Sequence, residues 1–217
     1  MKKRKLNYSN VIICSLAIFL VIMLIITGVL AYGIIKDMFG KEETKEVEIV
    51  DNIGEYGYEL TENNTEYFES LYYELKDVLN NKESETFDED YATLVARLFV
   101  ADFYDLNSKL NKTDVGGVQF VYKSYRETFK QFASDANGIY YYVENNIYGD
   151  REQELPIVKE VTVTETTNIP YTYKDINDTN AYQIKLYIEY EEDLGYPKHA
   201  TVILIHTDNK IEVVKMN

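Results

Sequence analysis

The chain has 217 residues, 46% of them apolar, and a formal charge of −15, so most of its surface must be acidic. Nucleic acid and anionic lipid are bound by clustered Lys and Arg, and this charge excludes direct nucleic-acid binding by the bulk of the chain. A single cysteine excludes an internal disulfide, so folding has to rest on a buried core.

Residues 1–10 form a basic tail with Lys2, Lys3, Arg4 and Lys5 and no acid. Val11 to Ile35 follows, 25 residues without a charge. At ~1.5 Å per residue a helix of that length is roughly 37 Å, enough to cross a hydrocarbon core about 30 Å thick. The positive flank predicts a cytoplasmic N-terminus and an extracytoplasmic remainder. The alternative is a cleaved signal peptide, for which Val29-Leu30-Ala31 has the small-residue spacing; its apolar region is usually about 7–15 residues, shorter than this one. Cys14 lies within the segment and reads as a soft apolar side chain. The first ten residues carry +4, which leaves −19 for the rest. Abundant Tyr, Asn, Lys and Ile with three Pro and no Trp fits an AT-rich bacterial genome.

Residues 36–62 read as an acidic, exposed linker with a short strand near Glu46–Val50. From Asn63 to Asn217 about 155 residues are available for a core of ordinary size. The spacing predicts a first helix over Thr65–Asn80, capped by Asn64, with Phe68, Leu71, Tyr72, Leu75, Val78 and Leu79 as its apolar stripe. Thr86 and Glu89 form a candidate capping box for a second helix carrying Tyr91, Leu94, Val95, Leu98, Phe99, Phe103, Leu106 and Leu110. A third helix is expected from Val118 to Phe132, stopped at Asn137-Gly138. Residues 139–147 fit either a short fourth helix or a strand.

From Leu155 the period changes to alternation. Val161 and Val163 alternate with threonines, and Tyr182, Ile184, Leu186, Ile188 and Tyr190 alternate with polar residues. Gly195-Tyr196-Pro197 turns the chain, Ala200–Thr207 is an apolar strand, and Asp208-Asn209 leads into a closing strand over Ile211–Met216. The expected class is α+β: an N-terminal transmembrane helix, then three or four helices packed on a curved antiparallel sheet of about four strands.

An N-terminal span, helices and then an antiparallel meander resembles the nuclear transport factor 2-like fold over roughly residues 63–217. It is similar in particular to the extracytoplasmic domain of inner-membrane scaffold subunits of type IV secretion and conjugation machines. The likeness is one of element order, with no short motif, and it implies a scaffold that binds protein partners.

Catalytic signatures are absent from the sequence: no HExxH, no GxSxG, no phosphate-cradling glycine loop and no cysteine pair for zinc. His199 and His206 sit seven residues apart on one expected strand and so point to opposite faces. Asp102 falls on the apolar stripe of the second helix, four residues from both Leu98 and Leu106. Cone-shaped domains of the resembled fold enclose pockets whose enzymes use a buried acid with tyrosine donors. Asp102 as general base, with Tyr104, Tyr122 and Tyr125 as donors or walls, is the corresponding pocket. The alternative is a stripe-edge acid hydrogen-bonded to a tyrosine hydroxyl or a loop amide. Asp175–Asn180 offers oxygen ligands but lacks the glycine and distal glutamate of an EF-hand, and reads as a polar turn. Asn63, Asn111 and Asn177 each begin an N-x-Thr sequon. Of 21 tyrosines, 19 follow residue 36, and tyrosine serves interfaces as readily as core edges.

No cofactor and no metal is expected. The leading reading is a membrane-anchored, extracytoplasmic interaction domain with protein partners in the cell envelope, itself a possible homo-oligomer. The alternatives are a ligand-binding or enzymatic cone using Asp102, and an envelope sensor, for which ten cytoplasmic residues make no signalling domain.

Overall fold

The computed structural model describes residues 47–217 and, before them, Met23, Thr27 and Gly28. The compact unit to which residues 47–217 belong begins at Lys45. Its elements are β1 (Ile49–Ile53), β2 (Tyr58–Thr61), α1 (Glu66–Asn80), α2 (Phe87–Tyr104), two 3-10 turns (Val118–Phe120 and Lys123–Tyr125), α3 (Arg126–Ser134), β3 (Val158–Tyr173), β4 (Ile176–Tyr190), β5 (His199–Thr207) and β6 (Lys210–Met216).

Over residues 47–217 the α+β class holds, with three α-helices and a four-stranded antiparallel meander in the order β3-β4-β5-β6. The transmembrane helix does not hold as part of it. Among the described residues no helix is long and apolar enough to cross a membrane. The longest, α2, has 18 residues but carries Asp88, Glu89, Asp90, Arg97 and Asp102. Apart from the three residues named above, the segment expected to span, 11–35, lies outside the described residues.

α1 buries the expected stripe, with Phe68, Leu71, Tyr72, Leu75 and Leu79 inside. Each such side chain contributes about 1.5–3 kcal/mol by leaving water. Its cap is Thr65, whose Oγ1 accepts from the Phe68 amide at 3.2 Å. Asn64 instead accepts from the amide and hydroxyl of Thr61. Thr86 occupies the N-cap position of α2 but makes no capping bond; its hydroxyl donates to Asp90 at 2.6 Å. α2 packs against α1 and all four long strands, so small residues such as Ala92, Ala96 and Ala101 are buried along with the stripe.

The stretch expected to be linker is a hairpin from Ile49 onward, β1 pairing antiparallel with β2. Tyr56, Tyr58 and Leu60 are buried in the main core. Tyr58 donates to or accepts from Tyr91 at 2.8 Å, tying the hairpin to α2.

The third helix is broken where continuity was expected. Val121 leaves helical geometry to bridge Val213 of β6, and the Tyr122 amide donates to the Val213 carbonyl at 2.9 Å. Only Arg126–Ser134 remains α-helical. Residues 139–147 are neither helix nor strand; Tyr140 is buried and donates to the Phe103 carbonyl at 2.7 Å.

β3 and β4 run past the end of β5. β5 pairs with β4 only over Tyr182–Tyr187, whereas β3 pairs with β4 back to Ile176. The excess forms a two-stranded arm that packs Ile169, Tyr171, Tyr173 and Ile176 against Ala181, Ile203, Ile205 and Val214. Val202 and Leu204, alternating with Ile203 and Ile205, face the main core, so the sheet is buried on both sides. Three register shifts and Pro170 interrupt the outer strand β3, features that blunt an edge against further strand pairing.

Candidate interaction site

The four residues expected to share a pocket lie in three different places. Asp102 and Lys109 line a groove of about 260 Å³ on the flank of α2. The Lys109 ammonium pairs with Asp102 Oδ1, and the Gly117 amide donates to Oδ2 at 2.6 Å. Burial works against the charge on Lys109, but the carboxylate beside it outweighs that and holds the ammonium above its ordinary range. Both oxygens of Asp102 are thus engaged, and the geometry is that of a fold-stabilising ion pair. A Cβ at Gly116 would stand 2.1 Å from the Asp102 carbonyl, so glycine is required for the loop to approach α2 this closely.

Neighbouring groups complete this polar layer. The Gly116 amide donates to the Tyr140 hydroxyl at 2.9 Å. Asp105, buried at the end of α2, accepts from the Val158 and Ser108 amides at 2.9 and 3.1 Å. Burial pushes its carboxyl upward despite those bonds. Arg151 donates to the carbonyls of Asn107 and Lys109. Every one of these contacts closes a turn or strand end.

Tyr104 and Tyr125 lie on a different, apolar cavity of about 320 Å³. It opens between the C-terminal half of α2, α3 and the end of β6, with Phe99, Phe103, Phe129 and Met216 in its walls. The rings of Phe103 and Phe129 are 5.3 Å apart, and Tyr125 approaches Phe129 at 6.3 Å. Burial pushes the Tyr104 phenol up. Gly138 shapes the mouth, since a Cβ there would stand 2.0 Å from the Ala133 carbonyl. Phe132 lines the cavity and is 64% exposed. Tyr141 and Tyr142, a few residues on, are also exposed, and their rings pack edge to face at 4.9 Å. The polar residues in the lining are Asn137 and Lys215.

Tyr122 lies elsewhere again, packed edge-on to Tyr173 of the arm at 5.7 Å. The loop read as a polar turn over Asp175–Asn180 is β4 from Ile176 onward. Asp178 Oδ2 there receives the amide of His206 at 2.7 Å and lies 2.8 Å from its Nδ1. Burial opposes the Asp178 charge, and the bonds from the His206 and Asn180 amides and the imidazole overcome it, holding the carboxyl below its ordinary range. Asp88 lies 3.7 Å from His206 Nε2. Among the described residues no group of three His, Cys, Asp or Glu is arranged to hold a metal ion.

Comparison with family models, curated proteins and solved structures yields no match.

Proposed function

We propose that the chain is an interaction domain that receives an apolar side chain of a protein partner in the cavity between α2, α3 and β6. The observation that carries this reading is the exposed phenylalanine in the lining of that open apolar cavity. Phe132 lines the apolar hollow and yet is 64% exposed to water. An exposed aromatic side chain beside an open apolar cavity marks a contact site, and phenylalanine and tyrosine are residues that interfaces concentrate. The engagement of both Asp102 oxygens favours this over an acid–base pocket. The order of helices before an antiparallel meander agrees with a scaffold of an envelope secretion or conjugation assembly. Placement of the folded unit outside the cytoplasm, attached to a membrane, rests on the sequence of residues 1–35; protease added to intact cells should then remove residues 47–217.

The test is a photo-crosslinking residue at Asn137, at the cavity mouth, in cells. A discrete adduct is expected, and Phe132→Ser, at an exposed position, should abolish it while the protein stays folded. An adduct the size of two copies identifies the partner as the chain itself. An adduct equally strong with Phe132→Ser removes the cavity as the contact site.

A further inference from the structure

We propose that the groove between the turn at Lys123–Tyr125 and the β5–β6 hairpin binds a small anion of two or more negative charges, a phosphate ester or a polycarboxylate. This site is separate from the aromatic cavity and does not depend on it.

Charge pairing across the molecule supplies the argument. The chain has 37 acids against 22 lysines and arginines, so carboxylates are in excess and most described cations reach one. Among the described residues Lys76, Lys82, Arg97, Lys109, Arg126, Lys130, Lys159, Lys185 and Lys198 each reach a carboxylate. Lys123, Lys174 and Lys210 do not, and they converge. Lys123 and Lys210 line one groove of about 1000 Å³ together with Arg126, and Lys174 donates to Ser124 at its rim. Lys112, Arg151 and Lys215, also without a carboxylate, do not line it.

The groove holds acids too, but its lining carries three cations, Lys123, Arg126 and Lys210, against two carboxylates, Glu212 and Asp208. Glu212 is 8% exposed, accepts from the Thr207 hydroxyl at 2.7 Å and lies 3.8 Å from Arg126. Asp208 lies in the hairpin turn. Arg126 is fixed by donating to the carbonyls of Val121 and Gln119, so its charge is held in place. Lys210 is half-buried with its ammonium 5.4 Å from the Tyr58 ring centroid, and no carboxylate takes its protons. Burial pushes that ammonium down more than Glu212 lifts it, the state of a cation short of a counter-charge. α3 begins at Arg126 without a side-chain cap, and the positive end of its dipole adds to the same field. A compact anion suits this site better than a polyanion, because the acidic surface around it repels an extended one.

The test is calorimetric titration of the full-length protein with pyrophosphate and, separately, with citrate at low ionic strength. Saturable binding of at least one is expected, with a Kd of about 1 mM or tighter. Lys123→Gln, at an exposed position where folding is unaffected, and Lys210→Gln should each weaken it about tenfold, and added salt should weaken it further. Lys159→Gln, a paired cation on β3, should leave it unchanged. Preference for pyrophosphate assigns the phosphate class and preference for citrate the carboxylate class. The proposal fails if neither anion saturates, or if Lys159→Gln weakens binding as much as Lys123→Gln and Lys210→Gln do.

Discussion

Lys109 is buried on the carboxylate of Asp102, across the turn that ends α2. Removing one partner leaves the other charge buried and unpaired, which costs about 3–5 kcal/mol. Asp102→Asn should therefore lower stability by that order in a denaturant titration. The double variant Asp102→Asn/Lys109→Met keeps an oxygen for the Gly117 amide and removes the stranded ammonium, so it should recover most of the loss. A single variant as stable as wild type would mean the pair is solvated in solution.

The α1 stripe gives a second test. Leu75 is fully buried, and Leu75→Ala should cost about 2–5 kcal/mol. Glu74 is 53% exposed and sits 3.6 Å from Arg97, so Glu74→Ala should change stability by no more than about 0.5–1 kcal/mol. Equal effects would place the helix in another phase.

These elements were legible because their signals are local. The period of α1 and α2 and the alternation of β4 to β6 lie within short windows, and the structure follows them. What the sequence hid depends on distant partners. The β1–β2 hairpin reads as a linker because Tyr56, Tyr58 and Leu60 are interleaved with glutamate and glycine, and only Tyr91, 33 residues beyond Tyr58, makes them core. The break at Val121 is made by Val213. The arm of β3 and β4 is rich in Thr and Asn, a composition that signals loop until Ile203 and Ile205 are seen beneath it. For the site, Asp102 was found, but not its partner: the expected second helix ran on through Leu106 and Leu110, whereas α2 ends at Tyr104 and the turn after it brings Lys109 back to Asp102. Asp178 was noticed as an oxygen ligand, while its bond to His206 spans 28 residues.

Alkaline pH should unfold the protein through its buried phenols. Tyr58 and Tyr140 are pushed well above the ordinary phenol range, chiefly by burial, and Tyr91 is raised by the same cause. A raised folded pKa means that the native state keeps protons that the unfolded state gives up above about pH 10. Stability is therefore full below that pH and falls as pH rises through it. Lys109, also raised, has the same sign. The last part of the tyrosinate absorbance, that of the buried phenols, should appear together with loss of helical circular dichroism. Smooth titration of all tyrosines in a folded protein would contradict the burial of these three.

The arm of β3 and β4 is fastened at Asp178, and that fastening should be separable from the rest of the fold. Asp178 accepts both the amide of His206 and a bond with its Nδ1, joining the arm to β5 where regular pairing between β4 and β5 has stopped. The contacts beneath the arm form an apolar cluster distinct from the main core. Asp178→Ala strands two donors, a local cost of about 1–3 kcal/mol. Hydrogen exchange over residues 169–180 should accelerate accordingly, with α1 and α2 unchanged, because weakly held units open before the whole does. The pH dependence has a defined sign. Asp178 is held below its ordinary range, so its contribution is present above about pH 4 and declines as pH falls through the folded value. Wild-type protein on the acid side of pH 4 should then show the same selective exchange as Asp178→Ala at neutral pH. If exchange instead rises evenly across α1, α2 and the arm, the arm belongs to the main cooperative unit and Asp178 is not its fastening.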